Sequence, residues 1–228
     1  MVSPSLSPAA SVSPSYVQML LADARLPTGA HTQSAGLEPA LQHGVRLAQV
    51  PAYLRGRLLT VTATEAATAV VARAVWRSGD RDRLVAVDRA WRARTPSDAA
   101  RDAADLLGRG YRRLAESIWP LGLDPARTYA RAVVLGATAA AAGLGAAELV
   151  RLVGYDDVQT VLAAALKLEP FDPAQATAWA LAAGSEVEAL VTRVAGLDDP
   201  DAIPATGAPA LELWLQDHAH QERRLYRA

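Results

Sequence analysis

Leu20 to Gly44 reads LLADARLPTGAHTQSAGLEPALQHG, a stretch that sets turn formers and polar residues between apolar ones in an otherwise alanine-rich chain. Tyr16 to Ala24 has the spacing of a first amphipathic helix, and Leu26-Pro27-Thr28-Gly29 breaks it. Pro27 disfavours helical geometry at Leu26, and Gly29 permits a positive φ that other residues resist. A second helix then begins near Thr32 or Ser34, where a hydroxyl can cap it. Two short helices must therefore fold back on one another at the start of the chain.

The helical pattern continues outward from there. Val50-Pro51 puts proline at a first helical turn, and a long helix is expected from it to about Ser78. Ser78-Gly79-Asp80 stops that helix and opens a shorter one carrying Leu84, Val87 and Trp91. Thr95-Pro96-Ser97-Asp98 restarts the pattern for a helix through Leu106, Tyr111 and Leu114 that ends before Pro120. Helices are expected over Pro125 to Ala142, Ala146 to Leu168 and Ala174 to about Val194, with a short final one through Leu211, Trp214 and Leu215. No segment alternates apolar and polar residues as a strand would. The expected fold is an all-α, single-domain bundle of roughly eight to ten helices, with a disordered N-terminal arm over 1–15, the helical domain over 16–217 and a tail over 218–228.

Composition agrees. Of 228 residues, 51% are hydrophobic but only 5% aromatic, which favours closely packed helices over a sheet surface. A net charge of -1 gives no whole-molecule attraction to nucleic acid or an anionic membrane. With no cysteine, disulfides, thiolate metal sites and thiol nucleophiles are excluded. The serines and prolines of the first 22 residues interrupt any signal-peptide core, and the uncharged Ala132 to Ala147 is too short and glycine-broken to span a bilayer. A cytoplasmic location is the resulting expectation.

The opening stretch resembles the N-terminal signature of the urease accessory protein F family, through Leu21, Asp23, Ala24, Leu26, Pro27, Gly29, His31, Ser34, Gly36, Leu37 and Glu38. Further islands follow in order: Arg101 with Gly108 to Leu114, Val133-Val134-Leu135-Gly136, Tyr155 with Ala164 to Pro173, and the terminal Arg224 to Ala228. The chain departs from the family pattern in having no histidine before Val133 and Asp172-Pro173 in place of Gly-Gln. The resemblance implies a scaffold that bridges the D-type (also called H-type) accessory protein and the GTPase accessory protein G. Through them it serves the urease apoenzyme as a homodimer in GTP-dependent nickel insertion, with nickel and GTP belonging to the partners. It also implies that the C-terminal segment becomes ordered on the D-type protein.

The residues that could carry chemistry read as binding rather than catalytic groups. His31 with Asp23 or Glu38 could form an acid/base pair, but no nucleophile, phosphate loop or second cluster accompanies them, so no catalytic residue is assigned. They fit a folded helix-loop-helix that shapes a protein-binding surface. His218 and His220, two apart, do not share a helix face, so no metal or cofactor is assigned and the histidines are expected to be exposed or in the tail. Gly143-Leu144-Gly145 lacks the strand and full glycine pattern of a nucleotide loop. Lys167, the sole lysine, serves equally as a helix-end cation or a partner contact. In the tail, Leu225 and Tyr226 supply apolar anchors beside Arg224 and Arg227, a composition common at interface hot spots. The partner-binding set is thus His31, Glu38, Lys167, Arg224, Leu225, Tyr226 and Arg227. Two rivals are an all-α regulatory domain enclosing a small molecule, and a helical hydrolase or lyase using His31.

Overall fold

A computed structural model describes residues 12–221 and 225–226, and among these residues the structure is helix and turn with no strand. In chain order the helices are α1 (Pro14–Leu21), α2 (Leu37–Gln42), α3 (Val50–Leu59), α4 (Val61–Ser78), α5 (Leu84–Ala93) and α6 (Asp98–Glu116). They continue with α7 (Arg131–Ala141), α8 (Ala146–Leu168), α9 (Pro173–Ala182), α10 (Gly184–Val194) and α11 (Pro209–Ala219). The all-α expectation is met. Residues 1–11, 222–224 and 227–228, which hold most of the expected N-terminal arm and part of the tail, lie outside the described residues.

Several boundaries differ from the sequence reading. The first helix spans Pro14–Leu21 rather than Tyr16 to Ala24, because Asp23 turns to bond the backbone and guanidinium of Arg25. The second begins only at Leu37, after a 3-10 turn over Ala30–Thr32. The expected helix from Val50 to Ser78 breaks at Thr60 (φ -121°, ψ -93°), whose hydroxyl bonds back to the Gly56 carbonyl. The expected helix from Ala174 to Val194 divides at Ala183. The first third of the helix expected from Pro125 is irregular and the helix starts only at Arg131, since the buried Asp88 carboxylate takes the Ala130 N–H at 2.8 Å and caps α7 from another element.

The core sits around α4 and α7, the most extensively paired helices. Gly136 makes that approach possible: a Cβ there would collide with the Ala69 carbonyl and the Ala72 side chain. Around this axis Val70, Leu84, Val133, Leu135, Leu149 and Leu190 form the larger apolar cluster. A second cluster joins α2, α3, α8 and α9 through Leu37, Leu54, Leu58, Val161 and Ala165, and it includes Tyr226 of the tail. The opening loop is clamped at both ends. Gly110 of α6 admits the Thr28 carbonyl, and Gly36 (φ +74°) lets α11 approach through Leu211.

Leu47–Ser78 is the one stretch among the described residues that is long and apolar enough by composition to cross a bilayer, and 67% of its most apolar window is buried inside the bundle. Its apolar face is accounted for by packing.

Candidate partner-binding site

Glu38 organises the site. Ser34 Oγ accepts the Glu38 N–H at 3.3 Å and fixes the first turn of α2. That turn aims the Glu38 carboxylate inward, where the residue is only 6% exposed. Its two oxygens accept the backbone N–H groups of Leu225 and Tyr226, one each at 2.8 Å. His218, fully buried in the last turn of α11, places Nε2 3.1 Å from Glu38 Oε2. Hydrogen bonds to a carboxylate are among the stronger ones in proteins, about 1.5–3 kcal/mol each in net terms. The tail is therefore recognised through its backbone, and Glu38 joins three separate segments.

The Tyr226 ring enters the second apolar cluster, while Leu225 stays 53% exposed. Burial, then the Glu38 charge, pushes the Tyr226 hydroxyl above its ordinary pKa. Lys167, in the last turn of α8, lies 5.1 Å from the Tyr226 ring centroid, within cation–π range. Gln221 Nε2 donates to Gln42 Oε1 at 3.0 Å and ties the chain beyond α11 to α2.

Beneath this surface lies a buried ionic layer. Ala35 (φ +53°) and Gly36 are both left-handed, which costs about 1 kcal/mol or more at the alanine. The turn points the Ala35 carbonyl at Tyr53 Oη (2.7 Å) and Arg57 Nη1 (2.8 Å), and these bonds offset the strain. Arg57 also holds Asp157 in a bidentate pair at 2.5 and 3.0 Å, and Thr62 donates to the same carboxylate at 2.7 Å. Burial pushes Asp157 up, yet Arg57 and Thr62 outweigh it and the net shift is downward. Burial also pushes Tyr53 up to about 12. A second buried pair, Arg131 with Asp156, lies alongside. Nearby, Glu65 accepts the Trp91 indole N–H at 2.6 Å, and burial raises its pKa.

The structure thus brings together four residues of the sequence-predicted set: Glu38, Lys167, Leu225 and Tyr226. Arg224 and Arg227 lie outside the described residues, as does the His31 side chain; the His31 backbone is in the turn over Ala30–Thr32. Asp23 and Glu38 do not share a catalytic cluster, because Asp23 is bonded to Arg25 and held near pKa 2 by that side-chain bond, whereas Glu38 faces the tail. The expectation of exposed or tail histidines fails for His218, which α11 carries into the core against Glu38. His43 also has a packing role, stacking on Trp214 with its Nδ1 2.8 Å from the Pro39 carbonyl oxygen. Sequence reading missed Tyr53, Arg57, Thr62 and Asp157. Their only signal was a charged pair, Asp156-Asp157, inside an otherwise apolar helical run.

Comparison with known proteins gives this arrangement a setting. A family model described as UreF matches residues 46–184, the part of the chain that carries the ionic layer and Lys167. A protein of Mycobacterium marinum (strain ATCC BAA-535 / M) named urease accessory protein UreF is 36% identical, the alignment covering 91% of this chain and 96% of the relative. Proteins of the same name from Mycobacterium sp. (strain JLS) and Mycobacterium tuberculosis (strain ATCC 25618 / H37Rv) are 34% and 35% identical. These alignments cover 91% and 92% of this chain and 96% and 97% of the two relatives. Matches of this extent, on a helical bundle that brings the opening motif and the C-terminal motif into contact, show that the chain belongs to the UreF family of urease accessory proteins.

Proposed function

We propose that this protein is a cytoplasmic maturation scaffold that performs no chemistry of its own. It bridges the D/H-type accessory protein and the GTPase accessory protein, acts as a homodimer, and couples GTP-dependent nickel delivery to assembly of the urease active site. Family membership supports the urease-accessory role. The observation that carries the finer reading is the Glu38 junction, where the opening loop, the end of α11 and the tail meet on one carboxylate. A tail held by two backbone bonds and one aromatic ring can be re-seated by a partner at modest cost, since a partner shifts such an equilibrium only by its differential affinity for the two arrangements. Leu225, exposed beside this junction, is the apolar anchor such a partner would cover.

A small-molecule-binding role has one observation behind it. A cavity of about 160 Å³ lies between α4, α6 and α11, with Val61, Trp91, Leu107 and Leu211 as apolar walls and Glu65 and Arg131 among its polar groups. Glu65 and Arg131 are already engaged with Trp91 and Asp156, which weighs against a waiting ligand.

The test uses full-length protein, a variant truncated after Gln221 and Glu38→Gln, each in a pull-down against the D/H-type protein. The truncation keeps His218 and α11 intact. The truncation is expected to lose about tenfold or more in affinity, the scale of one charge-assisted contact, whereas Glu38→Gln, which loosens the seat the partner must displace, should bind at least as tightly as wild type. Equal binding by all three would end the tail hypothesis. No binding by any folded form, wild type included, would end the scaffold reading.

A further inference from the structure

The Glu38 junction has the build of a receptor. Leu225 and Tyr226 both lie in a bend, and their consecutive N–H groups converge on one carboxylate at 2.8 Å each. Consecutive N–H groups turned to one side form the concavity by which backbone binds an anion. Here the anion belongs to the bundle and the concavity to the tail. Beyond those two donors, the tail offers one ring. Tyr226 joins the apolar cluster that holds Leu37, Val161, Ala165 and Ala176, and Lys167 lies over its face at 5.1 Å. Leu225 gives its N–H while its side chain stays half in solvent. What is recognised is therefore a short pattern: two adjacent backbone N–H groups in a bend, the second on an aromatic residue.

The seat itself is made by other elements. Ser34 sets Glu38 at the start of α2, α11 brings His218 Nε2 to 3.1 Å from the same carboxylate, and Lys167 ends α8. Departure of the tail takes two donors from a carboxylate that is 6% exposed, and any segment that returns two donors and a ring restores the same contacts. We propose that this seat is a peptide-recognition site, filled by the chain's own tail as an internal competitor. Its exogenous ligand is a protein segment that bends at an aromatic residue preceded by any residue but proline, which has no N–H to give. A tethered tail acts at an effective concentration on the order of millimolar, so such a segment gains the seat once the tail is drawn off. The inference rests on the reading of this surface as a docking site and deepens it. Its test uses no other accessory protein, so the two can fail separately.

The receptor for the experiment is the full-length chain carrying Leu225→Pro and Tyr226→Pro, which removes both donors and the ring and keeps the tail out of its own seat. The probe is a fluorescently labelled peptide of residues 222–228, ERRLYRA, titrated by anisotropy. The receptor is expected to bind it, and wild type to bind it about tenfold or more weakly because the tethered tail competes. A probe methylated on the Leu225 and Tyr226 amide nitrogens, a probe with Tyr226→Ala, and a receptor that also carries Glu38→Gln should each lose about tenfold or more. A Tyr226→Phe probe should keep most of its affinity. The methylated probe retains every arginine, so equal binding by it would place the attraction in those charges and overturn the proposal. Unchanged binding to the Glu38→Gln receptor, or equal binding by wild type and receptor, overturns it as well. So does absence of binding by a receptor whose thermal melt matches that of wild type. If the double proline variant melts early, full-length Tyr226→Ala serves as the receptor, and the same ranking of probes decides.

Discussion

Asp157 and Arg57 illustrate what a single contact decides in this molecule. Their side chains are both nearly buried, and Arg57 reaches from the acid to the strained Ala35 carbonyl, so the pair transmits α8 to the opening loop. Asp157→Ala would strand a buried guanidinium and is expected to cost about 3–5 kcal/mol of unfolding free energy. The double change Arg57→Met with Asp157→Leu should restore part of that loss, because it removes both buried charges but leaves the Thr62 hydroxyl without its acceptor and the Ala35 carbonyl with Tyr53 alone. Urea denaturation of Arg57→Met, Asp157→Leu and the double variant, beside Asp157→Ala, gives the coupling directly. A cost below about 1 kcal/mol for Asp157→Ala would show that the pair does not hold the loop. At this scale the sequence was partly legible. Glu38, Lys167, Leu225 and Tyr226 stood in recognisable motifs. The Arg57 to Asp157 pair spans 100 residues, and nothing local in either segment specifies the other. His218 looked like a tail residue because only the path of α11 buries it.

At the scale of elements, apolar periodicity located the helices well, and α8 begins and ends where it was expected. It could not show the breaks at Thr60 and Ala183, because the 3.6-residue apolar pattern runs through both. Glycine carries the complementary information. Gly136 sits where α7 touches the α4 backbone, whereas Gly56, in the exposed face of α3, has nothing near the position of a Cβ. Gly136→Val is therefore expected to destabilise by about 1–3 kcal/mol through overpacking. Gly56→Ala should stabilise by about 0.5–1 kcal/mol through helix propensity. Thermal melts of the two variants should move in opposite directions, and a stabilising Gly136→Val would contradict the close approach of α4 and α7.

For the whole molecule, the buried carboxylates pull stability in opposite directions as pH changes. Asp157 has a lowered pKa, so its contribution is present above the ordinary aspartate value and is lost as pH falls through its folded value. Glu65 and Asp156 are shifted up, chiefly by burial, so their favourable contribution belongs to acid and fades as pH rises through their folded values. Glu65→Gln separates these effects, because an amide oxygen can still accept the Trp91 indole N–H while carrying no charge to bury. The variant should match wild type within about 0.5 kcal/mol near pH 4, where the unfolded carboxyl is largely protonated. It should then gain on wild type as pH rises above the ordinary glutamate value, until the folded Glu65 carboxyl has itself ionised. Asp157→Asn should differ in the opposite sense and in a more acidic window, its deficit full above the ordinary aspartate value and narrowing as pH falls below it. Urea denaturation at several pH values reads both curves. A Glu65→Gln advantage that stays flat or shrinks with rising pH would mean that the Arg131 charge nearby, the second influence on Glu65, outweighs its burial.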